Sequence, residues 1–79
     1  MFNATYISAS EGVGKESGNP WYKVELIAET ITGKQKVLVE FCTENAYRSA
    51  MALEPMQRCR VASGVTDSGH VSIHALKGE

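Results

Sequence analysis

A chain of 79 residues has room for one domain with a thin core, because a fold this small buries only about 60–65% of the surface its unfolded form exposes. Eight Lys and Arg against nine Asp and Glu leave a formal charge of −1, so no global positive field marks a nucleic-acid binder, and any cationic site must be local. Two cysteines without a CxxC, no apolar run near the ~18 residues of a membrane span, and no basic, apolar start at Met1–Thr5 argue against a disulfide scaffold, a membrane protein and a secreted one. The expectation is a cytoplasmic single domain over residues 1–79 with free thiols.

The first strand-like run is Phe2 to Ser8, with Phe2, Ala4 and Tyr6 on one face and Asn3, Thr5 and Ile7 on the other. Ser10 to Pro20 carries three glycines and a proline in eleven residues, which predicts a long flexible loop of functional character. From Trp21 to Thr30, Tyr22, Val24, Leu26 and Ala28 alternate with Trp21, Lys23, Glu25, Ile27 and Glu29, the period of a half-buried strand. Thr32-Gly33-Lys34 turns the chain into a third run, Lys36 to Cys42. There Val37, Val39 and Phe41 are expected in the core, with Lys36, Leu38, Glu40 and Cys42 pointing away.

Thr43 is a good helix N-cap and Glu44 suits the first turn. Ala46, Tyr47, Ala50, Met51 and Leu53 recur at helical spacing until Glu54-Pro55 ends the helix. Gln57 to Val65 forms a fourth run with Cys59, Val61, Ser63 and Val65 inward and Arg58, Arg60 and Ala62 outward. After a turn at Thr66-Asp67-Ser68-Gly69 comes a fifth, His70 to Leu76. Val71, Ile73 and Ala75 are expected inward, and His70, Ser72, His74 and Leu76 outward.

One short helix between the third and fourth of five strands is the element order of the OB-fold barrel, which binds oligonucleotides or oligosaccharides on its second and third strands. The fold class expected is all-β, a five-stranded OB-like barrel with that single helix. Gly18-Asn19-Pro20-Trp21, opening the second strand after the glycine-containing stretch with Lys15, resembles the loop of small phage-type single-stranded-DNA-binding proteins of the OB-fold class. Lys36 to Phe41 resembles their following apolar strand. The pattern departs at Asn19, where these proteins often carry lysine, and at Glu16. The resemblance implies a non-catalytic, sequence-tolerant protein that coats single-stranded DNA, or RNA, in the cytoplasm of a host cell.

Trp21 shares the outward parity of its strand and suits base stacking. Lys15, Lys23 and Lys36 are the first candidates for phosphate contact, with Arg58 and Arg60 behind them; Glu25, Glu29 and Glu40 lie among them on outward positions. Ile27 and Leu38, apolar at outward positions, mark an interface, either a surface for stacking bases or the contact of a symmetric homodimer. Sixteen residues separate Cys42 and Cys59, too many for the close ligand pairs of a zinc site, and no metal is expected with His70 and His74. Gly14-Lys15 lacks the Ser or Thr and the first glycine of a P-loop, and no catalytic pairing stands out, so neither enzyme nor cofactor is expected. The principal alternative is an OB-like module that uses Trp21, Ile27 and Leu38 to bind a protein. A sugar-binding barrel is a weaker one, lacking aromatic and acidic clusters beyond Trp21.

Overall fold

The computed structural model describes residues 1–79. The elements are β1 (Phe2–Val13), β2 (Pro20–Glu29), β3 (Gln35–Cys42), α1 (Glu44–Met51), β4 (Arg58–Val65) and β5 (Val71–Gly78). The strands close into a barrel in the order β1-β2-β3-β5-β4. All neighbours are antiparallel except β3 and β5, which meet in parallel through the single pair Cys42 and Ile73. Five strands closed this way, with one short helix after the third, make an OB-like barrel.

β1 is the hinge of the closure. Its start pairs with β4, from Phe2 opposite Val61 to Thr5 opposite Arg58, and its length from Ala4 to Val13 pairs with β2. A bulge between Tyr6 and Ser8 bends the strand between these two partners. At the bend, the Tyr6 N–H donates to the Gln57 carbonyl at 2.8 Å and the Met56 N–H donates to the Tyr6 carbonyl at 2.7 Å.

The expected long loop, Ser10 to Pro20, is strand at both ends and shortens to residues 14–19. β1 runs to Val13 and β2 starts at Pro20, leaving a tight turn between them. The Gly14 N–H donates to Asn19 O and the Gly18 N–H to Gly14 O, each at 2.9 Å, and Gly18 takes the left-handed conformation at φ 69°. Glycine at position 12 does not break the strand because it lies directly opposite Trp21, whose indole covers it. A Cβ there would stand 2.3 Å from Trp21 Cζ2.

The face assignment of β3 is reversed. Val37, Val39 and Phe41 are 55%, 58% and 53% exposed and point outward, while Cys42 is buried and Leu38 and Glu40 are half-buried on the inner side. Both parities of this strand carry apolar residues, so alternation alone leaves its face open. The pairing decides it, because Leu38 lies opposite the fully buried Leu26 and Val37 opposite outward Ile27. β5 is reversed beyond a bulge. Ala62 faces Ala75 while Ser63 faces Ile73, so His74 is the extra residue, and Ile73 and Leu76 both point inward with Ala75 exposed. On β4, Cys59 and Val61 are buried as expected, but Ser63 and Val65 are exposed.

The Thr43 hydroxyl caps α1, accepting from the Ala46 N–H at 3.2 Å. Ala46 and Ala50 are its buried residues, small enough to let the helix lie close against the barrel. Pro55 follows, and Met56, with φ 69°, is the one non-glycine residue in the left-handed region. Only twelve residues are buried, and Leu26, Ile73, Val24, Val61 and Cys59 are the largest that are fully enclosed. Both cysteines are free thiols in this core, and burial raises the pKa of each.

Candidate nucleic-acid interface

In an antiparallel pair, residues directly opposite each other project to the same face. Trp21, Lys23, Glu25 and Ile27 of β2 therefore share the outside of the barrel with Phe41, Val39 and Val37 of β3. Lys23 lies opposite Phe41, Glu25 opposite Val39 and Ile27 opposite Val37. On the other flank, Gly12, Ser10 and Ser8 of β1 lie opposite Trp21, Lys23 and Glu25. The small β1 residues make room for the Trp21 indole, which packs over Gly12 and leaves Trp21 and Lys23 half-buried.

The Lys23 ammonium sits 5.5 Å from the centroid of the Trp21 ring and 4.6 Å from that of Phe41. Both distances fall within cation–π range, so the two rings hold the charge between them. Its amphipathic stem half-buries the residue while the charge stays at the surface. Two aromatic faces beside a cation are what a platform for unpaired bases and their phosphates requires. One step further along, Glu25 brings a negative charge onto the same face, its Oε2 3.4 Å from the Ser8 hydroxyl.

Arg58 and Arg60 reach this face through β1. Arg58 is opposite Thr5, which is opposite Ile27, which is opposite Val37, and this makes one row across four strands. Arg60 pairs with Asn3 on one side and Lys77 on the other. A small polar cleft at this end is lined by Asn3, Thr5, Ile27, Glu29, Gln35 and Arg58. Arg58 Nε also lies 3.6 Å from Glu79 Oε2, with both side chains substantially exposed, a contact of small energetic weight. At the opposite end, beside Phe41, an open groove runs between β3 and the β4–β5 turn, lined by Glu40, Thr66, Ser68, His70 and Val71.

The structure thus brings Trp21, Lys23, Ile27, Arg58 and Arg60 onto one continuous outer surface. Lys15 stands exposed at the tip of the β1–β2 hairpin. Lys36 and Leu38 are not on that surface. They lie opposite Ala28 and Leu26 on the inner side of the hairpin and line an apolar hollow with Phe2 and Ile31. Phe41, Val39 and Val37 take the places that sequence reasoning gave to Lys36 and Leu38. Lys77 is a further cation beside Arg60.

Fold and surface together define an OB-like barrel whose β2–β3 outer face is aromatic and apolar, with Lys23, Glu25 and Glu29 as its charged residues. No family model, curated protein or solved structure matches the chain. No helix is long and apolar enough to cross a membrane.

Proposed function

We propose that this chain is a non-catalytic protein that binds single-stranded DNA with little sequence preference and takes single-stranded RNA on the same face. The observation that carries this reading is the Trp21–Lys23–Phe41 cluster on the β2–β3 outer face of an OB-like barrel, with Trp21 and Lys23 half-buried and Phe41 exposed. Bases stack on Trp21 and Phe41, and every base has a face to stack, which makes the contact tolerant of sequence. Val39, Val37 and Ile27 continue the apolar floor, and Lys15, Lys23, Arg58 and Arg60 meet phosphates along it. Trp21 and Ile27 are separated by about 20 Å of strand, which suits a site at the short end of the ~4–16 nucleotides an OB barrel covers.

The charge of −1 and the presence of Glu25 and Glu29 near the path give little long-range attraction. Affinity then rests on contact, and its salt dependence is shallow. Three or four phosphates neutralised on a single strand give a log–log slope of about −2 to −3. The test is a titration of Trp21 fluorescence with an oligothymidine at several salt concentrations. We expect quenching, that slope, and much weaker binding to duplex. Lys23→Gln should lower the slope by about 0.7, whereas Lys36→Gln, on the other side of the hairpin, should leave it in place. Equal affinity for duplex, or binding indifferent to salt, would overturn the mechanism. No binding to any single strand would assign the face to a protein partner, the reading that its exposed Val37, Val39 and Phe41 favour otherwise.

A further inference from the structure

Part of the β3 edge extends beyond the short seam that closes the barrel. β3 is held by β2 along its whole length, but β5 forms a ladder pair with it only where Cys42 meets Ile73. The Thr30 N–H donates to Lys34 O at 2.6 Å, which makes Thr30 and Lys34 a hydrogen-bonded pair. Such pairs alternate along an antiparallel ladder. The even-numbered residues of β3 therefore spend their backbone groups on β2, and Gln35, Val37 and Val39 direct theirs outward along the free edge. Further along, the Phe41 carbonyl points the same way and accepts from the Ser72 hydroxyl at 3.4 Å, which agrees with this alternation. No proline or bulge interrupts the edge from Gln35 to Phe41. An uncovered edge of this kind is a template for another strand.

We propose that the edge pairs with β3 of a second copy, antiparallel, about a two-fold axis through Leu38. The charges select this arrangement. With Val37 hydrogen-bonded to Val39 of the second copy, Lys36 falls opposite Glu40 of the second copy and Glu40 opposite its Lys36. Leu38 faces its own image. The Lys36–Glu40 pairs are the non-hydrogen-bonded ones, in which side chains approach most closely. A parallel pairing in register would instead set like charges side by side. One self-complementary surface used twice is the commonest form of oligomer. The pairing joins the two β2–β3 hairpins into one sheet, so the outer faces of both copies, each with its Trp21–Lys23–Phe41 cluster, become continuous. Leu38 thereby takes a dimer role, and Ile27, one strand further in, does not.

Light scattering on the DNA-free protein at micromolar concentration tests this. The wild-type chain should give about twice its mass of 8.6 kDa. Lys36→Glu and Glu40→Lys each place like charges opposite each other twice, and each variant alone should dimerise about tenfold more weakly or worse. Mixed in equal amounts, the two variants should recover a heterodimer, because every facing pair is then opposite in sign; the double variant K36E/E40K should recover a homodimer. Misfolded variants would recover neither. A wild-type monomer throughout, a dimer indifferent to both reversals, or no recovery in the mixture and the double variant would overturn the proposal. None of these measurements involves nucleic acid, so their outcome is independent of the binding reading.

Discussion

Trp21→Ala should weaken single-strand binding by about 1–3 kcal/mol, the loss of one base–aromatic stack. That is roughly fivefold to more than a hundredfold in affinity. The variant removes the only tryptophan, so the measurement needs a labelled oligonucleotide and fluorescence anisotropy. Phe41→Ala should cost an amount in the same range, because the residue is 53% exposed on the same face and its ring flanks the same ammonium. The two losses should not add, since both rings hold Lys23 and each single variant already frees it. Trp21→Phe keeps a stacking face and should recover most of the affinity. The indole also covers Gly12, so circular dichroism must establish that the alanine variant is folded. A folded Trp21→Ala protein with wild-type affinity would remove the aromatic cluster from the site.

Leu26→Ala should cost about 2–5 kcal/mol of stability. Leu26 is fully buried in the middle of β2, opposite Tyr6 on one side and Leu38 on the other. A core in a chain of this size supplies only about 3–5 kcal/mol, so this single truncation removes most or all of the folding free energy. The variant should be largely unfolded at room temperature or melt far below the wild type, as followed by far-ultraviolet circular dichroism. Val39→Ala, two strand positions from Phe41 on the outer face, should cost less than about 1 kcal/mol by comparison. A Val39 variant that melts well below the Leu26 variant would mean that the inner and outer faces of the hairpin have been interchanged.

That last contrast turns on where sequence reading succeeded and where it did not. The period of two located all five strands, though β1 runs on to Val13 past the expected Ser8; Thr43 marked the helix start, but the helix stops at Met51, ahead of Leu53 and Glu54-Pro55. In β2 only one parity is consistently apolar, so Val24, Leu26 and Ala28 were legible as core and Trp21 and Lys23 as surface. In β3 both parities carry apolar residues, and the charged Lys36 and Glu40 lie on the inner one, so the face had to come from the turn. Ile31, Thr32 and Gly33 form a three-residue loop with Gly33 left-handed at φ 82°, closed by Thr30 and Lys34. A loop of that length sets odd residues of one strand opposite odd residues of the next. Phe41 beside Lys23 was therefore readable in principle, from Gly33 rather than from hydrophobicity.

The reversal at β5 was not readable. Its bulge at His74 has no glycine or proline of its own to mark it, and the nearest glycine is across the ladder at Gly64, under the His74 ring. Nor could the sequence say that Arg58 and Arg60 join the β2–β3 face. That depends on Phe2 to Thr5 finding β4 across more than fifty positions of chain, a contact no local pattern encodes.

The way β1 and β5 flank β4 also fixes where the chain ends emerge. Phe2 lies beside Val61 on one side of β4, and Gly78 beside Cys59 on the other. Two strand spacings and two residues of rise separate them by roughly 12 Å, a gap that a bridge of a few residues would span. Both ends leave near one pole of the barrel, while Trp21 and Lys15 stand toward the other, about ten residues along β1. Anything joined to either end, whether a neighbouring domain, a surface tether or a second barrel in tandem, therefore leaves the aromatic end of the face unobstructed. The Gly14–Asn19 turn is the matching place to cut the chain if the two ends were linked in a circular permutant.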